Sequence, residues 1–216
     1  MTTMKDFADI VWLPIDIPKI PEDIVDELIE AWHLNRDPVG NIHQHELMAH
    51  TDITDWDTAG EATERWLMQN EAHLYVRDYI REYLPHYKFF HVYINHFMDD
   101  IPLHSDFGRA NQAKEFWVHT QALEPCAYRI VVRGKKKGTL YLRFDDQKIY
   151  PQIPEETDCY VLRYTDGMHG LDIRDNDDPE RYTLQIDGWI DVEEHKKLLL
   201  KSVEKYKDVM IERKYL

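Results

Sequence analysis

Apolar residues recur along this chain with two different periods. Pro21-Glu22-Asp23 opens a segment in which Ile24, Val25, Leu28, Ile29 and Trp32 fall on one face of a 3.6-residue repeat. Proline and acids in a first turn suit a helix start. The stretch from Asn35 to His50 is polar and histidine-rich and reads as a loop that could lie over a sheet mouth. A second helical pattern covers about Ala59 to Leu84, with a break near Asn70. Its stripe includes Leu74, Tyr75, Tyr79, Ile80 and Tyr83, and Pro85 stops it.

The pattern changes at Lys88. Short runs rich in Val, Ile, Tyr, Phe and Thr follow: Lys88–Met98, Leu103–Phe107, Glu115–Ala122, Ala127–Arg133, Thr139–Phe144, Cys159–Tyr164, His169–Arg174 and Arg181–Ile190. Eight such runs at this spacing predict an antiparallel sandwich or barrel. Gly134 and Gly138 bracket three lysines as a hairpin loop would. From Val192 to Tyr215 a helical stripe returns through Leu198, Leu199, Val203, Tyr206, Val209 and Met210. The expectation is one domain over residues 1–216, mainly β with flanking α: a helical N-terminal layer (1–87), a double-sheet core (88–191) and a C-terminal helix (192–216). The apolar stripe of each N-terminal helix needs a sheet face to cover.

Composition narrows the function. The chain has 216 residues and a formal charge of −15, which disfavours a general phosphate-backbone binder. No apolar run is long enough for a membrane helix, and Asp6 and Asp9 interrupt what would be a signal-peptide core. The two cysteines, Cys126 and Cys159, read as small buried thiols, so a cytoplasmic location is expected. The lysine-rich C-terminal helix reads as packing on the domain or as a homodimer contact. Twelve histidines make a metal site worth seeking.

Three features fall in order within the strand region. His104-Ser105-Asp106 puts an imidazole and a carboxylate on one side of a strand end. His169 follows in the Thr165–Gly170 segment. Arg181-Tyr182-Thr183 opens the last strand, with Arg181 and Thr183 sharing a face. Two imidazoles and one carboxylate hold a divalent ion and leave open positions. An arginine fork with a neighbouring hydroxyl suits a carboxylate.

The order H-x-D, then H, then R-x-T resembles the 2-oxoglutarate/Fe(II)-dependent dioxygenase superfamily, over about residues 88–190. Tyr128-Arg129-Ile130-Val131-Val132 is also reminiscent of its aspartyl/asparaginyl and proline hydroxylase branch. The resemblance implies a double-stranded β-helix (jelly-roll) core, with iron bound by His104, Asp106 and His169. It also implies 2-oxoglutarate anchored by Arg181 with Thr183 assisting, and O2 as oxidant. The activity implied is hydroxylation of an unactivated C–H on a small-molecule or peptidyl substrate, with 2-oxoglutarate going to succinate and CO2. The alternative is a non-catalytic jelly-roll protein that retains a metal-like pocket. Tyr93 and Asn95, on one face of the first core strand, are offered as further contacts. Arg129 and Arg133 could both face the sheet interior, where unpaired burial would be costly and an interior Arg129 would call for an anionic partner, the co-substrate or an acidic substrate group; a solvent-facing arginine is the other reading. His91 and His96, five apart, face opposite sides. His43, His45 and His50 do not match the H-E-x-x-H spacing of a zinc-protease helix.

Overall fold

A computed structural model describes residues 7, 9–39, 42–50, 64–67, 70–104, 128–134, 136, 138–144, 146–162, 168–173 and 181–212. In chain order the elements are β1 (Ile10–Pro14), α1 (Glu22–Asn35), β2 (Asp37–Val39), β3 (Ile42–His50), β4 (Glu64–Trp66), α2 (Glu71–Tyr83), β5 (His86–Phe97) and β6 (Ile101–His104). They continue with β7 (Tyr128–Gly134), β8 (Leu140–Phe144), β9 (Gln147–Ile149), β10 (Cys159–Leu162), β11 (Met168–Leu171), β12 (Arg181–Ile190), α3 (Val192–Tyr206) and β13 (Ile211–Glu212). The fold is mainly β, with antiparallel sheets and flanking helices. Among the described residues, no helix is long and apolar enough to cross a membrane.

The strands form two sheets. The larger runs β13-β1-β10-β7-β12-β5-β3-β2, with β4 paired to β3, and the smaller runs β6-β11-β8-β9. Period-two alternation assigns the two faces of the large sheet. Tyr182, Leu184 and Ile186 of β12, with Ile130 and Val132 of β7 and Val161 of β10, join one apolar cluster with residues of α1, α2 and α3. Val131, Tyr160 and Leu162 turn the other way. They pack with Trp12 against Leu140, Leu142 and Leu171 of the small sheet. The large sheet therefore has a helical layer outside and an inner space facing the small sheet.

Each helix is held by identifiable features. On α1, Val25, Leu28, Ile29, Ala31 and Trp32 are buried, and Trp32 Nε1 donates to the His43 carbonyl at 3.2 Å. The Trp32 ring also meets Tyr182 edge-on, at 5.1 Å between centroids. Asn70 caps α2, its Oδ1 accepting from His73 N at 3.0 Å. Asp191 caps α3 by accepting from Glu193 N and Glu194 N at 2.9 and 3.0 Å.

The N-terminal third departs from the helical layer expected of it. Residues 10–14 form β1, a wholly buried strand between β13 and β10, and the histidine-rich stretch is β2 and β3 rather than a loop. β3 pairs with β5 from Ile42↔Phe97 to Met48↔Val92. Two of its histidines are packing groups: His45 lies beside His73, with ring centroids 5.4 Å apart, and His43 stacks on Trp32. The second helical pattern is also shorter than expected, because Glu64–Trp66 is strand β4. Trp66 turns edge-on to Phe89 of β5, and Glu64 Oε1 accepts from Phe89 N, so this segment belongs to the sheet. The final helix ends at Tyr206, and Ile211–Glu212 pairs with β1. The strand expected at Glu115–Ala122 lies outside the described residues, and β9 adds a strand that was not expected.

Candidate functional site

Antiparallel pairing of β6 with β11 makes His104 and His169 direct cross-strand partners. Their ring centroids are 4.3 Å apart. His169 shares the inner face with Leu171, and across β8 it is registered with Leu142. His169 is buried and His104 is partly open. His104 Nδ1 lies 2.7 Å from the Pro102 carbonyl oxygen. A carbonyl can only accept, so the proton sits on Nδ1 and the Nε2 lone pair is the ligating one. The pair of imidazoles is therefore suited to hold a divalent transition metal. Asp106, the expected third ligand, lies outside the described residues.

Gly170 makes this pairing close. A Cβ there would meet the Ile101 carbonyl at 2.7 Å and, nearer still, the Tyr141 hydroxyl.

Arg181 is 1% exposed and points into the inner space. Its guanidinium donates to Thr139 Oγ1 and, at 3.4 Å, to the Tyr160 hydroxyl. Thr139 sits just before β8, and its carbonyl accepts from Asp172 N beyond the end of β11. The guanidinium is thus fixed between the two sheets, in the inner space that the histidine pair faces from the small sheet. Thr183 follows two positions along β12 and is 1% exposed. Its Oγ1 is buried with no hydrogen-bond partner among the described residues. A buried hydroxyl in that state suits a ligand oxygen. The chemistry of the residues present, two imidazoles, a buried guanidinium and an orphaned hydroxyl, fits a metal with an anionic co-ligand.

Tyr93 and Asn95 lie on the inner face of β5, as expected, and both are buried. Arg129 is also on the inner face, registered with Tyr160 on one side and Gln185 on the other. Arg133 is not. A register shift on the β7–β12 pairing turns it to the helical side, where it pairs with Asp26 of α1. His96 faces the same outer layer, stacked on Tyr182 at 4.3 Å. Burial lowers its pKa to about 4, with His43, His33 and Arg36 adding to the shift. Thr139, Tyr160 and Gln185 were not singled out by sequence. Their roles depend on which strands become neighbours, although Tyr160 alternates with Cys159 and Val161 as an inner-face residue should.

No protein-family model matches the chain, and no curated protein matches it. The chain is similar in structure to 2OG-Fe(II) oxygenases. One is an oxidoreductase of the 2OG-Fe(II) oxygenase family from Burkholderia pseudomallei, with 12% identity and a TM-score of 0.48 over 86% of this chain and 89% of that one. Another is a prolyl-4-hydroxylase from Pseudomonas putida, with 12% identity and a TM-score of 0.41 over 86% of this chain and 97% of that one.

Proposed function

We propose that the chain is an Fe(II)- and 2-oxoglutarate-dependent dioxygenase that hydroxylates an unactivated C–H, on a double-stranded β-helix core. Support for the core comes from strand order. From β5 to β12 each connection except the β8–β9 hairpin crosses between the sheets, giving β10-β7-β12-β5 on one side and β6-β11-β8-β9 on the other. The observation that carries the function is the meeting of His104 and His169 in an inner space that also buries Arg181.

His104, His169 and Asp106 would hold the metal. Bound Fe(II) supplies the oxygen activation that protein side chains lack. In the overall reaction one atom of O2 enters succinate as CO2 leaves 2-oxoglutarate, and the other becomes the product hydroxyl. Arg181 holds the distal carboxylate of 2-oxoglutarate through charge-assisted hydrogen bonds. Thr139 and Tyr160 keep the guanidinium in position, and Thr183 donates its hydroxyl to the bound diacid. The apolar walls, Leu140, Leu142, Leu162, Leu171 and Val131, keep water out and strengthen those contacts.

Anaerobic addition of Fe(II) and 2-oxoglutarate should produce a weak visible charge-transfer band, and O2 should then release succinate. Arg181→Ala should raise the 2-oxoglutarate concentration for half-maximal band intensity by about tenfold or more, with iron affinity nearly unchanged. Asp106→Ala should lose iron. A non-catalytic binding protein gives no band and no succinate. Equal 2-oxoglutarate affinity in Arg181→Ala and the parent chain would falsify the anchor.

A further inference from the structure

The pairing of β6 with β11 contains a register shift on which the approach of the two imidazoles depends. Ile101 lies opposite Leu171, and His104 lies opposite His169. Pro102 and Leu103 therefore stand against Gly170 alone, so β6 carries one extra residue. β11 itself is regular, because its pairing with β8 runs without interruption from Met168 to Leu171. His169 and Leu171 thus share a face by period two, the inner one that Leu171 packs. Ile101 packs against that same apolar cluster. Ile101 and His104 are three positions apart, and in an unbroken strand an odd spacing puts two side chains on opposite faces. The extra residue reverses that parity, and the His104 ring comes to 4.3 Å from His169, centroid to centroid.

Without the shift, Ile101 would keep its partner, Leu103 would stand opposite His169, and His104 would turn outward beside Met168. The hydrophobic effect favours that slipped arrangement. Leu103 would then join the inner apolar cluster, of which it forms no part in the observed register. Something in β6 must resist the slip. Asp100 pins the entry to the strand, its Oδ1 accepting from Ile173 N at 2.6 Å, but this contact is compatible with either register. Pro102 is different. Proline within sheets is confined to edges, first positions and bulges, and Pro102 stands on an edge strand at the point of the shift. Its fixed φ and missing N–H obstruct a continuous ladder there. Its carbonyl, 2.7 Å from His104 Nδ1, also orients the ring that the shift turns inward.

We propose that Pro102 is a positioning residue for the metal site: it holds the extra residue in β6 and so keeps His104, rather than Leu103, opposite His169. A proline that only guarded the sheet edge against another chain would leave the register indifferent to its removal. The ligand role of His104 rests on the dioxygenase reading, whereas the register does not.

The test compares the full parent chain with Pro102→Val (or Pro102→Ala, should the valine chain not fold) and with the same variant from which Leu103 is also deleted. In the metal-free chain, methyl nuclear Overhauser contacts report the register. Leu103 should show none to Leu142, the β8 partner of His169, in the parent and should gain them in Pro102→Val. Fe(II) affinity, followed by anaerobic titration, should fall about tenfold or more in Pro102→Val. Deleting Leu103 as well puts His104 back on the inner face of a regular strand, and affinity should return to within about threefold of the parent. If the deletion variant does not fold, Pro102→Val with Leu103→Asn carries the same criterion, because a polar amide gains nothing by displacing His104 inward. Unchanged Fe(II) affinity and unchanged contacts in Pro102→Val overturn the proposal and leave the dioxygenase reading standing. So does a loss of affinity that neither second change restores, or a Leu103–Leu142 contact already present in the parent. New Leu103 contacts in Pro102→Val, in a chain whose parent binds no Fe(II), support the register device and remove the dioxygenase reading.

Discussion

Single residues decide how closely the two imidazoles approach. Gly170 lacks the carbon that would collide with the Ile101 carbonyl on β6. Gly170→Ala should push β6 off β11 and part His104 from His169. We expect iron affinity, followed by metal titration, to fall by about tenfold or more. Tyr141→Phe should not rescue it, because the backbone oxygen remains. A different residue effect comes from His195, which is fully buried with Nδ1 2.7 Å from the Tyr128 hydroxyl. Burial, with a smaller push from His86, lowers its pKa to about 3. It is neutral in the folded chain and protonates near 6.5 when unfolded. The unfolded state therefore binds more protons between about pH 3 and 6.5, and stability falls as pH drops through that window. The slope from this one group approaches about 1.4 kcal/mol per pH unit below 6. Urea midpoints at pH 7.5, 6.0 and 5.0 should fall more steeply for the parent chain than for His195→Gln. Parallel slopes would show that His195 does not drive the acid sensitivity.

At the scale of elements, helix ends and strand edges explain what could be read in advance. Asp191 alone satisfies two backbone N–H groups at the start of α3. Asp191→Ala should cost about 1 kcal/mol in chemical denaturation at pH 7, with the denaturant slope unchanged. α1, α3 and the strands β5, β7, β8, β10 and β12 were visible because their apolar positions repeat cleanly at 3.6 or 2 residues. β3 was hidden because histidine counts as polar in a pattern, yet His45 is buried against His73. Burial lowers the pKa of His73. β4 was hidden by its brevity and by helix-forming neighbours. No local signal distinguishes a three-residue strand from a helical turn when a partner strand supplies the reason for it.

For the whole molecule, neighbours on one strand, such as Arg181 and Thr183, were legible because spacing along a strand converts simply into a shared face, whereas the approach of His104 to His169 depends on β6 pairing with β11. Their supporting residues were not. Thr139 and Tyr160 come from strands that meet Arg181 only after the sheets have assembled. Arg133 failed as an inner residue because the register shift before it reverses its side, and α1 then offers it Asp26. The net charge of −15 is consistent with this economy of cations. Lys136 pairs with Asp158 and Lys205 with Asp16, while Arg181 is sequestered inside.

β12 links these scales. Its even-numbered residues, Tyr182, Leu184 and Ile186, grip the helices, while Arg181, Thr183 and Gln185 face the other side of the sheet. Outer and inner residues therefore share one backbone. Any drift in the helical coat that tilts this strand must also re-aim the groups that greet a ligand. Selectivity could thus be retuned by substitutions that never touch the bound molecule, and α1, whose Trp32 leans on Tyr182, is the natural lever.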